Sequence, residues 1–118
     1  MDEILKQTLL YDFYGELLTD HQKEIYEQVV LEDYSLSEIA KDAGISRQGV
    51  HDMIKRCNKI LAGYEDKLHL LQKFLKTKEM VARINIFAKE ILEQEQRAEI
   101  IDKLEKIENM SNAILEEY

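Results

Sequence analysis

Ile4, Leu5, Leu9, Leu10, Phe13, Tyr14, Leu17 and Leu18 recur at the three-to-four-residue spacing of a single helix face. They predict a first amphipathic helix. Thr19 follows in "TDHQ", with Gln22 three residues on. This is a capping-box pattern, in which a hydroxyl and an amide side chain satisfy the unpaired N–H groups of a helix start. Ile25, Tyr26, Val29 and Val30 give the second helix its buried stripe, and it is expected to stop near Asp33. "SLSE" repeats the start signal, with Ser35 as cap and Glu38 as its partner. The third helix is short, about 36–43, and Gly44 ends it, because glycine enters the left-handed region without a Cβ penalty. Ser46 caps a fourth helix two residues later. Two capped helices joined by so short a turn form a helix-turn-helix, about 36–60.

Val50, Ile54, Cys57 and Leu61 step 4, 3 and 4 along the fourth helix, which Gly63 is expected to end or kink. A further run carries Leu68, Leu71, Phe74 and Leu75. Thr77 reads as the next cap, before a stripe of Val81, Ile84, Phe87, Ala88, Ile91 and Leu92. After the polar "EQEQRAE", Ile100, Leu104, Ile107, Ser111 and Ile114 form a heptad-like seam. The expected organisation is a helix-turn-helix domain over 1–76 and a helical C-terminal arm over 77–118, which either pairs with a second copy or folds back on the N-terminal helices; a second boundary near Gln94 is either a hinge or a bend in one long helix.

Composition agrees with an all-α fold. Proline is absent and there are only four glycines in 118 residues, so hairpin turns have little to work with. A single cysteine, Cys57, excludes an intramolecular disulfide and, lying on the apolar ridge, reads as plain core. The N-terminus lacks the basic start and apolar run of a secretory signal, and no stretch reaches the length of a membrane span, so a cytoplasmic protein is expected. His21, His51 and His69 lack ligand spacing, and no phosphate loop or paired-carboxylate arrangement stands out. No metal, no cofactor and no catalysis are therefore expected. Tyr11, Tyr14, Tyr26 and Tyr34 read as core or rim packing.

The formal charge of −8 is unevenly divided. Residues 1–35 carry a net −7, residues 36–60 a net +2, and residues 61–118 a net −3. The one positive block coincides with the helix-turn-helix, which is the sign a phosphate-binding surface needs. A second basic stretch over 67–83, net +4, reads as an ordinary charged helix surface.

Packing explains the residue types of the motif. Ile39 points to the core, Ala40 is small enough for the helix crossing, Ile45 plugs the turn, and Val50 and Ile54 anchor the second helix. The stretch "LLTDHQKEIYEQVVLEDYSLSEIAKDAGISRQGVHDMIKRCNKIL" resembles the region-4 helix-turn-helix of bacterial sigma factors, a module that reads promoter DNA. "YDFYGELLTDHQ" together with "ISRQGVHDMIKR" is similar to the YlxM family of small helix-turn-helix proteins. That resemblance implies a bacterial protein linked by gene neighbourhood to the signal recognition particle pathway.

In such a motif the start of the second helix reaches base edges, and flanking positive groups hold phosphates. Here the exposed positions are expected to be Ser46, Arg47, Gln48, His51, Asp52, Lys55, Arg56 and Lys59. Arg47 is the candidate for guanine and Gln48 for adenine. Ser46 and the helix start suit a phosphate, and Lys55, Arg56 and Lys59 would follow the backbone. The reading is a DNA- or RNA-binding regulatory homodimer. The alternative is a protein-interaction adaptor of the signal recognition particle machinery, with the motif kept as a scaffold. The acidic first helices and Asp52 in mid-surface favour that alternative.

Overall fold

The computed structural model describes residues 2–117. It is all-α: among the described residues there are six α-helices and no strand. The chain forms two compact units, residues 1–71 and 72–118.

In the first unit, α1 (Glu3–Tyr14) runs into a 3₁₀ turn (Gly15–Leu17) and then α2 (Asp20–Tyr26). Thr19 caps α2 with the full capping box: its hydroxyl accepts from the Gln22 N–H at 3.2 Å, and the Gln22 side chain accepts from the Thr19 N–H at 3.0 Å. The apolar stripe then continues, but the backbone widens into a π turn over Glu27–Leu31. The chain leaves that turn through Asp33, which takes φ 56°. Ser35 starts α3 (Leu36–Ala43) by accepting from the Glu38 N–H, and Gly44 ends it in the left-handed region at φ 71°. Ser46 starts α4 by accepting from the Gly49 N–H at 2.9 Å.

Gly63 neither ends nor kinks α4, which runs from Arg47 to Leu68. A glycine in a helix interior costs only about 1 kcal/mol, and the turn beyond it is anchored by Tyr64, stacked on Tyr14, and by Glu65, which accepts from the Tyr14 hydroxyl. The break falls instead at His69, which adopts the left-handed conformation at φ 57°. A polar junction holds it there. The Tyr14 hydroxyl donates to Glu65 at 2.6 Å and accepts from the Leu70 N–H at 3.1 Å, while Glu65 also accepts from the Leu71 N–H at 2.9 Å. Two N–H groups at the start of the next helix, α5 (Leu70–Gln94), thus find partners, one of them on α1. Burial and the Glu65 carboxylate together hold the Tyr14 hydroxyl above its ordinary pKa.

The core gathers Ile25, Ile39, Ala40 and Val50, with Val29, Leu36, Ala43, Ile45, Met53 and Ile54 packed against it. Cys57 and Leu61 extend it along α4 and are wholly inaccessible. Burial raises the thiol pKa of Cys57. Tyr14 and Tyr26 are buried, Tyr11 stacks on Tyr26 with ring centroids 5.3 Å apart, and Tyr34 is exposed. Tyr11 donates to Glu27, and Tyr26 donates to Asn58 at 2.6 Å. Gly15 is required by close approach: a Cβ there would lie 2.8 Å from the Tyr11 ring.

The second unit is a pair of helices. Thr77 is not a cap; it lies inside α5, which is continuous from Leu70 to Gln94. The expected boundary at 76/77 accordingly gives way to one at 71/72, because the break that starts α5 is the junction at His69. Of the two expectations at Gln94, the helix breaks rather than bends: α6 spans Ala98–Glu117. In the turn before it, Glu95 accepts from the N–H groups of Gln96 and Arg97 and from the Arg97 guanidinium at 3.0 Å. The Arg97 hydrogen bonds hold the Glu95 carboxyl well below its usual range, at about 2.

The helices of this pair run antiparallel. The Asn85 amide donates to the Ser111 hydroxyl at 2.6 Å and to Asn112 at 2.9 Å, and Ser111 donates to the Glu108 carbonyl at 2.9 Å. Asn85, Ala88 and Ser111 are its buried side chains. The heptad-like seam of α6 is therefore divided. Ser111 faces α5 and Leu104 is half-buried, but Ile107 and Ile114 remain exposed.

Candidate nucleic-acid interface

The turn between α3 and α4 is built so that one face of α4 cannot be covered. Val50, Cys57 and Leu61 lock the opposite face into the core, with Met53 and Ile54 half-buried beside them. At about 100° per residue, that leaves Gln48, Asp52, Lys55 and Lys59 along the outward crest. Arg47 and His51 lie on the flank nearer α3, and Arg56 on the other. All of these side chains, and Ser46 before them, are exposed. The seven residues expected from the sequence thus lie at the start of α4 or along its exposed half, with Arg47 and Arg56 at opposite edges of that half.

At the start of that helix, Ser46 already serves the Gly49 N–H. The earlier N–H groups of a helix have no intrahelical partner and point outward along the axis, where anions are favoured. Beside them, Leu36, Arg47, Gln48 and His51 line a shallow open groove. Leu36 was not among the expected site residues. It is half-buried, with one side on the core and the other on this groove.

The centre of the face carries an internal network. The Gln48 amide donates to Asp52 at 2.9 Å, and the His51 imidazole lies 3.9 Å from the same carboxylate oxygen. Asp52 therefore has partners, and the donor that Gln48 would offer to adenine is engaged. The i, i+4 spacing of glutamine and aspartate is a known stabilising pair on helices, so the signal was in the sequence, where Asp52 read only as an electrostatic obstacle. Lys55, Arg56 and Lys59 continue the face for two turns towards Ala62. In the second basic stretch, the Lys78 ammonium lies over the Phe74 ring, 5.6 Å from its centroid. Among the described residues, no group of histidine, cysteine, aspartate and glutamate side chains is arranged to hold a metal ion, and no helix is long and apolar enough to cross a membrane.

The tight turn, the two serine caps and the exposed second helix define a helix-turn-helix protein. Residues 1–118 match the family described as "Putative helix-turn-helix protein, YlxM / p13 like". The protein YlxM of Bacillus subtilis (strain 168) is 40% identical over 108 residues, covering 92% of this chain and 98% of its own. A relative in Thermoanaerobacter sp. (strain X514) is 44% identical over 106 residues, 90% of this chain and 91% of its own. One in Bacillus velezensis is 39% identical over 108 residues, again 92% and 98%. The chain belongs to this YlxM / p13-like helix-turn-helix family.

Proposed function

We propose that the protein is a cytoplasmic, non-catalytic regulator that binds nucleic acid through the outward face of α4. The observation that carries the reading is the placement of Ser46, Arg47, Gln48, His51, Lys55, Arg56 and Lys59 at the capped, accessible start of α4 and along its exposed half. In this reading the cationic groups neutralise phosphates and Arg47 reads a base edge. The family resemblance makes genes or RNA of the signal recognition particle the first targets to try, with the protein acting as a homodimer. Titrating a labelled DNA duplex and a labelled structured RNA with the full chain, followed by fluorescence anisotropy, tests this. Saturable binding to either one supports the reading, and the absence of binding to both at low salt overturns it.

One observation favours a second reading. Asp52 is tied into the middle of the face by Gln48 and His51, and residues 1–35 are strongly acidic. A protein with those features suits a basic protein partner, and the helix-turn-helix is then a scaffold within an adaptor of the signal recognition particle machinery. Pull-down from nuclease-treated extract separates the two: a partner retained without nucleic acid supports the adaptor.

A further inference from the structure

The helix pair α5–α6 carries more apolar surface than its own seam uses. On α5, Met80, Ile84, Phe87 and Ile91 step 4, 3 and 4 and are 57, 49, 53 and 48% exposed. On α6, Ile107, Met110 and Ile114 step 3 and 4 and are 42, 69 and 38% exposed. The seam itself is made by other positions: Val81, Asn85, Ala88 and Leu92 on α5, and Leu104, Glu108 and Ser111 on α6, all buried or half-buried.

At about 100° per residue, each exposed stripe lies roughly 110° round its helix from the seam, in the same rotational sense read from N to C. Because the helices are antiparallel, an equal turn in the same sense brings both stripes to the same side of the pair. The Asn85–Ser111 bond sets the register, so Met80 lies level with the Ile114 end of α6 and Ile91 level with its Ile107 end. The seven side chains form one apolar patch about 16 Å long. Ile86 is as exposed as the others, at 51%, but lies on the far side of α5.

We propose that this patch docks a second copy of the chain, the two α5–α6 pairs stacking face to face as an antiparallel four-helix bundle. This gives a surface to the homodimer of the preceding reading. Its extent fits. The seven side chains leave on the order of 600–700 Å² of apolar surface in solvent, near the ~800 Å² that each partner contributes to an interface of standard size. Its charge fits as well. Residues 72–118 carry a net of only −2, against −6 on residues 1–71, so two copies of this unit meet with little repulsion. A two-fold axis parallel to the helices lays α5 on α6 of the second copy and brings Glu90 on one outer edge level with Lys106 on the other. Each edge then sets Glu90 beside Lys106, whose ammonium also pairs with Asp102 of its own helix at 3.0 Å.

Sedimentation equilibrium of the full chain at tens of micromolar tests the proposal. The wild-type chain sediments as a dimer. Phe87→Lys sediments as a monomer with its far-UV helix signal retained, Phe87→Ala dissociates at least about tenfold more readily, and Ile86→Lys remains dimeric. If Phe87→Lys loses helix signal, the alanine variant decides. A monomeric wild-type chain, a dimer indifferent to both Phe87 variants, or equal dissociation by Ile86→Lys overturns the proposal. Failure of the nucleic-acid reading is seen separately, as absence of anisotropy change with the dimer intact.

Discussion

The amide of Gln48 donates to the carboxylate of Asp52, 2.9 Å away and one turn further along α4. The pair stands on the crest of the helix that faces outward from the helix-turn-helix. The bond occupies the donor that Gln48 would offer to a base edge, while the charge of Asp52 stays on the face.

Asp52→Asn removes the charge and loosens the hold on Gln48. Binding to DNA or RNA is expected to tighten severalfold at low salt, with the steepness of its salt dependence rising by no more than about one phosphate contact. Anisotropy titrations at two salt concentrations measure both. Weaker binding by the variant would assign Asp52 a positive role, such as accepting from cytosine.

Arg47 and Lys59 are predicted to fail differently when truncated. Arg47→Ala relaxes discrimination among sequences by about 1–3 kcal/mol, the worth of a bidentate base contact. Lys59→Ala weakens every sequence alike and flattens the salt slope by about 1. Competition of matched and mismatched duplexes distinguishes the two, and identical profiles would remove Arg47 from base reading.

The Asn85–Ser111 bond specifies the register of α5 on α6. Asn85→Ala leaves Ser111 and Asn112 without their donor and is expected to cost roughly 1–3 kcal/mol. Asn85→Leu combined with Ser111→Ala replaces both polar partners by apolar ones and recovers most of that loss. Urea unfolding of the single and double variants reads the difference.

Acid weakens the turn between these helices. Glu95 is held at about 2, below its ordinary value near 4.5, by Arg97 and the backbone N–H groups it accepts from. A lowered carboxyl contributes stability that is complete above the ordinary value and is lost as the pH falls through the folded one. Thermal melts between about pH 4.5 and 2 should show the wild-type chain losing stability that Glu95→Gln does not lose, because the amide cannot titrate. Parallel curves for the two proteins would show that the pair contributes nothing.

Much of the first unit was legible because its signals are local. Ser35, Gly44 and Ser46 each act within three or four residues of themselves, and they bound α3 and begin α4 where the sequence places them. What escaped the sequence depends on distance. The break at His69 rests on Tyr14, 51 residues before its partner Glu65, and no local signal marks it. Without that junction Thr77 looked like the start of a helix, and Gly63 like the end of one. The division of the α6 stripe into an inner and an outer face likewise depends on which residues α5 covers. At the candidate site the exposure of the expected residues followed from the pattern of α4 alone. The Gln48–Asp52 bond had its i, i+4 signal in the sequence, whereas the double duty of Leu36 emerges only when side chains are placed.

The most direct measurement of nucleic-acid binding by the outward face of α4 compares the full chain with its Lys55→Ala/Lys59→Ala variant, each titrated against duplex DNA and structured RNA at about 50 and 200 mM salt. The wild-type chain is expected to bind at least one of them with an affinity that falls steeply with salt, and the variant to bind more weakly at low salt with a slope reduced by about 2. Binding that is absent at 50 mM, or identical in the two proteins, would contradict the assignment of this face to nucleic acid.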